Sequence, residues 1–504
     1  MISALFLNAF FACPVDSFGG LHRDRADKYL LLVSETRDRA GPDAEITRGT
    51  QTGEPGLAFG LNGLKDYSTQ QPFIDVMNTS RPWIGHREGQ WGAVNDDALQ
   101  AMGVLDAHGW PTQVPEGLTS LESFILTELP VEATHAAGTY HLRYEGAGEI
   151  KVLNGSNLRY GEKHITFDYV PNGRGLVGVN ILETDPEGTG NHIRDITVVH
   201  EDNLQAHAAG EIFNPDWVKL IDDVHALRFM DWMNTNDSEV SSWAEVTQIA
   251  DHTYVPGAPV EIMVALANQT GTEPWFTLPY HADSDYVETF ARYVRDTLEP
   301  KLRAHYELSN EVWNWQFEQA HQSHADAIER FGEELSDGWV QNYAAKAAEM
   351  TATLDAVYAG HEARLVKVIS TQTGWLGLEG SILEAPSWQE MGHAAPYKSF
   401  DTYAITGYFD GALGRDKAGL VKAWIAESRQ KAQAMAESQG LAGEARAAWV
   451  DAHQYDHATA LAVQELRDGS VTGGNEGSLA HLAELFAYHA KVAEQYGLDL
   501  VMYE

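Results

Sequence analysis

Cysteine is nearly absent from this chain: Cys13 is the only one in 504 residues, which excludes any intrachain disulfide. Basic residues are scarce too, with 34 Lys plus Arg against 73 Asp plus Glu and a formal net charge of −39. That sign repels polyanions, so nucleic acid and anionic membranes are excluded as partners, and a neutral or cationic substrate fits. No stretch reaches the ~20 apolar residues of a membrane span. There is no fixed-period repeat and no low-complexity block. A G-x-S-x-G elbow, a phosphate loop and a G-x-G-x-x-G after a strand are all missing. A serine hydrolase, a nucleotide enzyme and a dehydrogenase therefore have no foothold. The opening run "MISALFLNAFFAC" lacks a basic n-region and an A-x-A-like cleavage site. It reads as a buried first strand or a misplaced start rather than a signal peptide.

What is present is apolar and aromatic: 44% of residues are hydrophobic and 14 are tryptophan. The length exceeds one ordinary core and fits a barrel of about 250 residues plus an accessory domain. Residues 1–71 are rich in Gly/Pro/Asp clusters and read as irregular surface segments. Residues 72–118 hold a first barrel strand, "PFIDVMNTSRPWIGH", and its loops. Over 119–201, short β-rich runs such as "GTYHLRYEG", "HITFDYV" and "GLVGVNIL" alternate with turn chemistry such as "NGSN" and "PNGRG". They predict an inserted all-β sandwich or jelly roll, a module type that often binds sugars. Over 202–504, strands alternate with helices, which predicts a parallel sheet closed as a (β/α)8 barrel. In "SDYVETFARYVRDTL" (284–298), Val287, Phe290, Ala291, Val294 and Leu298 share one helix face, with Asp283 or Ser284 as cap and Pro300 as stop.

Barrel enzymes carry their chemistry at the C-terminal ends of the strands. Counting the strand at 73–84 as the first, "ELSNE" ends strand four at Glu311 and "LVMYE" ends strand seven at Glu504. Those two ends face each other across a barrel mouth. Two carboxyls about 5–5.5 Å apart can cleave a glycosidic bond with retention, one as proton donor and the other as nucleophile. Their mutual repulsion keeps one of them protonated.

The Asn-Glu at the end of strand four and the Glu at the end of strand seven resemble clan A of the retaining glycoside hydrolases. "SNEVWN", "SRPW" and "FMDWMNTN" also resemble bacterial proteins loosely labelled cellulose-binding. The resemblance implies Glu311 as acid/base, Asn310 as partner of the substrate 2-hydroxyl and Glu504 as nucleophile. It implies Arg228 on strand two beside the nucleophile, with His281 and Tyr408 as positional matches for a nearby His or Tyr. Trp232, Trp313 and Trp375, near strand ends, are the candidates for stacking on sugar rings, and Trp83 and Trp275 fall near such ends as well. The implied partner is a polysaccharide or oligosaccharide, and a polymer substrate implies secretion. Such a barrel has an eighth strand bearing a sugar-stacking Trp. The chain ends at Glu504, so a longer parent chain is expected. The rival expectation is a carbohydrate-binding protein on a degenerate barrel.

No cofactor or metal is expected. His453 and His457 have metal-protease spacing, but Gln454 stands where that motif needs Glu. "DPEGTGN" (185–191) reads as a turn, not a calcium loop.

Overall fold

The computed structural model describes residues 56–504; the apolar opening run and Cys13 lie outside them. The chain forms two compact units, one from residues 64–220 and 247–266, the other from residues 56–63, 221–246 and 267–504.

The second unit is built on a curled parallel sheet of seven strands. In chain and spatial order they are β1 (Ala58–Gly60), β2 (Ala226–Arg228), β3 (Glu273–Leu278), β4 (Ala304–Leu308), β5 (Leu365–Ser370), β6 (Thr402–Ile405) and β7 (Asp499–Met502). Strands β3 and β4 are buried along their whole length. Their side chains alternate between two different surroundings. Phe276 and Tyr306 meet Phe290 of helix α1 (Ser284–Thr297), with Phe276 and Phe290 rings 5.0 Å apart. Trp275, His305 and Glu307 take the opposite face, where polar partners await them.

Helix α1 follows the apolar spacing of its sequence: Val287, Phe290, Ala291, Val294 and Leu298 are all buried. The Asp283 carboxylate accepts from the Tyr286 backbone N–H at 2.7 Å, satisfying one of the free donors of the first turn. Asp283→Ala is expected to cost about 1 kcal/mol, measured as a lower urea midpoint with an unchanged slope.

The expected first strand needs correction. The parallel sheet begins with β1, in a stretch read as irregular, and β1 pairs in register with β2. Residues 76–79 form a tight helical turn capped by Asp75. Ile84–Arg87 instead pairs antiparallel with Gln90–Val94 and Ser120–Ile125. The two-residue turn Glu88-Gly89, with Gly89 at φ 71°, reverses the chain there, which a parallel strand could not accommodate. The β-rich unit therefore starts well before residue 119.

That unit holds a four-stranded and a five-stranded antiparallel sheet. The runs at 138–145, 148–153, 164–169, 177–184 and 194–200 are all strands, as their alternation predicts. Leu142, Ile165, Phe167, Val152, Val179, Ile181 and Val198 share one buried cluster. Among the described residues, no helix is long and apolar enough to cross a membrane.

Candidate active site

Arg228 ends β2 and is 2% exposed, so its charge must be met inside the protein. Its Nε and Nη2 donate to Glu307 Oε2 at 3.3 and 2.9 Å. Nη2 also donates to Asn310 Oδ1 at 2.9 Å, and Nη1 reaches Glu504 Oε1 at 3.4 Å. The guanidinium lies 5.7 Å from the Trp275 ring and 5.1 Å from the Tyr503 ring, within cation–π range of both. Glu307 is buried in β4 and accepts two further hydrogen bonds, from Trp275 Nε1 at 3.0 Å and Ser370 Oγ at 2.5 Å. Arg228 thus has its tightest carboxylate partner in Glu307.

The chain leaves β4 in an unusual backbone conformation. Ser309 has φ 58° and Glu311 φ 43°, left-handed values that cost a non-glycine residue roughly 1–3 kcal/mol each. This breaks the strand alternation after Glu307. Asn310 comes to Arg228, and Glu311 comes to Tyr503. The Glu311 carboxylate accepts from Tyr503 Oη at 2.8 Å and from Asn314 Nδ2 at 3.0 Å. Asn310 donates through Nδ2 to Asn236 Oδ1 at 3.1 Å, and Gln319 Nε2 donates to the Asn310 carbonyl at 2.8 Å. Both ends of the Asn310 carboxamide are therefore occupied within the protein. Its Oδ1 helps to hold the Arg228 guanidinium in place.

Glu504 follows β7. Burial raises its pKa above the ordinary carboxylate value, Arg228 offsets part of that, and the charges of Glu311 and Glu307 add to it. The Tyr503 phenol is raised far above its usual range, first by burial and then by the charge and hydrogen bond of Glu311. It stays a donor to Glu311 throughout the neutral range. For Glu504 the folded state holds the proton more tightly than the unfolded chain. Stability is then lost as pH rises from about 4.5 through the raised value. Glu504→Gln is expected to unfold at higher urea than the wild type at about pH 8, with the advantage vanishing near pH 4.

No protein-family model, curated protein or solved structure matches this chain.

The structure gathers Arg228, Asn310, Glu311 and Glu504 into one hydrogen-bonded and charge-coupled set. Of the other expected residues, Trp313 meets this set through Tyr503, with ring centroids 6.2 Å apart. His281 packs edge-on against Tyr280, ring centroids 5.4 Å apart, and among the described residues hydrogen-bonds to neither Glu311 nor Glu504. Tyr408, beyond the end of β6, is exposed. The tyrosine that does touch the site is Tyr503, next to Glu504 in sequence. Trp232 is 1% exposed and packs on Phe229, while Trp313 is buried between Tyr343 and Tyr503. A sugar needs an open ring face, so these two indoles pack the interior and are not stacking surfaces. Trp375 is exposed.

Glu307, Ser370, Asn236, Gln319 and Tyr503 escaped the sequence reading. Glu307 carried the best signal, a charged residue in a strand otherwise fit for full burial. Among the described residues, no cluster of three or more His, Cys, Asp or Glu is arranged to hold a metal ion. His453, the last residue of one helix, bonds Asp456, the first of the next, at 2.8 Å, and Asp185 caps its own turn through the Gly190 N–H at 2.7 Å.

Proposed function

We propose that this protein is a retaining glycoside hydrolase of (β/α)8-barrel type, cleaving β-glycosidic bonds of a polysaccharide or oligosaccharide without a cofactor. The observation that carries this reading is the pair of carboxyls after β4 and β7, coupled through Arg228 and Tyr503 on one side of the sheet. Glu311 protonates the leaving oxygen as the bond to the anomeric carbon breaks, and the Glu504 carboxylate attacks that carbon. Glu311 then takes a proton from the water that releases the sugar from Glu504. Glu307 neutralises Arg228 and holds it in place. An acidic protein whose site contains one fully engaged arginine suits a neutral or cationic sugar. A polymer substrate puts the reaction outside the cell.

A second reading exchanges the two roles. Burial raises the Glu504 pKa above the ordinary carboxylate value, the direction suited to a proton donor.

Reducing-sugar release from glucans, xylans, mannans and galactans tests the reading, with Glu311→Gln as control. Release from one polymer that disappears in the control is expected. Binding to a polymer with no release from any would instead make the protein a carbohydrate-binding barrel.

A further inference from the structure

Three indoles run in contact beyond Glu311. Trp315 is 42% exposed and Trp375 49% exposed, whereas Trp339, between them, is 6% exposed. Ring centroids are 5.1 Å apart for Trp315 and Trp339 and 6.2 Å for Trp339 and Trp375. Large exposed aromatics normally cost solubility and are dispersed. Here two of them share a buried third, and among the described residues the indole N–H of Trp339 has no hydrogen-bond partner.

The rings are held in place. Trp339 opens helix α3 (Gly338–Val357), and its carbonyl accepts from Ser323 Oγ at 2.7 Å, on helix α2 (Glu318–Phe331). His321 and His324, also on α2, meet the Trp315 ring at 5.2 and 5.7 Å, and His321 Nε2 bonds the Trp315 carbonyl at 3.1 Å. Trp375 lies in the turn after β5, where its backbone N–H donates to Gln372 Oε1 at 2.7 Å. Trp315 lies in the turn that follows that of Glu311, the two sharing Asn314, whose side chain bonds the Glu311 carboxylate. Because β4 and β5 are adjacent, both exposed indoles emerge on neighbouring loops at the carboxylate end of the sheet.

We propose that Trp315 and Trp375, bridged by Trp339, form a stacking platform for a β-linked pyranose chain with equatorial hydroxyls, of glucan or xylan type. Such rings leave flat faces of axial C–H groups, which pack on indole faces and shed water from both. Rings already fixed by their neighbours lose little freedom on binding. The platform rests on the sugar-cleaving reading for its substrate class, but it is a binding surface with its own test.

The test is isothermal titration of cellohexaose and xylohexaose into the full chain carrying Glu311→Gln, followed also by tryptophan fluorescence. At least one hexamer is expected to bind and shift the emission. Trp315→Ala and Trp375→Ala should each weaken it about tenfold, and Trp315→Phe should retain most of the affinity. Trp91→Ala removes an exposed indole of the antiparallel unit and should change nothing. Binding of neither hexamer, or binding lost in Trp91→Ala and kept in the other two, overturns the platform. Sugar release by the wild type with affinity indifferent to Trp315 and Trp375 overturns the platform alone. Affinity dependent on them without any release overturns the hydrolase reading alone.

Discussion

Replacing Glu311 by glutamine is expected to slow sugar release about 10²–10⁴-fold, the range by which a positioned acid/base group accelerates such steps. Glutamine has nearly the same shape, and its carbonyl oxygen can still accept from Tyr503 Oη. Its amide nitrogen meets Asn314 Nδ2, a second donor, so one hydrogen bond is lost, worth about 1 kcal/mol. The fold should survive that, because Ser309, Asn310 and the turn to Asn314 are held by backbone bonds and by Gln319. What the variant lacks is a proton to give. The loss should fall on kcat, with polymer affinity within a few-fold of the wild type. Turnover within about threefold of wild type would remove Glu311 from the chemistry.

Arg228→Met should destabilise the protein by about 3–5 kcal/mol, the cost of leaving a buried carboxylate without its counter-charge. Methionine fills much of the space but leaves Glu307 with only the Trp275 and Ser370 donors. Adding Glu307→Gln to the same chain removes the stranded charge, so the double variant should be more stable than Arg228→Met alone. Urea unfolding of the four proteins measures that coupling. Simple additivity of the two losses would mean that Glu307 and Arg228 do not act as a pair.

Helix α1 was legible because its stability is local: five apolar residues on one face, a capping aspartate and a proline beyond its end. The place of Glu311 just past a strand end was legible too, from the short run "AHYEL" and the asparagine before it. The first strand was not. Phe73, Ile74 and Val76 are as apolar as a strand requires, but Asp75 caps a helical turn there. The true β1 has three residues and exists only because β2 pairs with it. Glu307 and Tyr503 acquire meaning through Arg228 and Glu311, which are distant in sequence and become neighbours only through the sheet register. Indoles look alike in sequence whether they pack, as Trp232 and Trp313 do, or lie open, as Trp315 and Trp375 do. Exposure is a property of the folded surroundings.

Two carboxyls acting by double displacement must leave a sugar covalently attached to one of them between the two steps. A 2-deoxy-2-fluoro glycosyl fluoride of the released sugar slows the second step and traps that species, and peptide mass spectrometry then locates the adduct. One adduct per chain, on Glu504, is the predicted result. A label on Glu311 would exchange the roles of the two residues. Sugar release with inverted anomeric configuration and no adduct on either glutamate would contradict the double-displacement account.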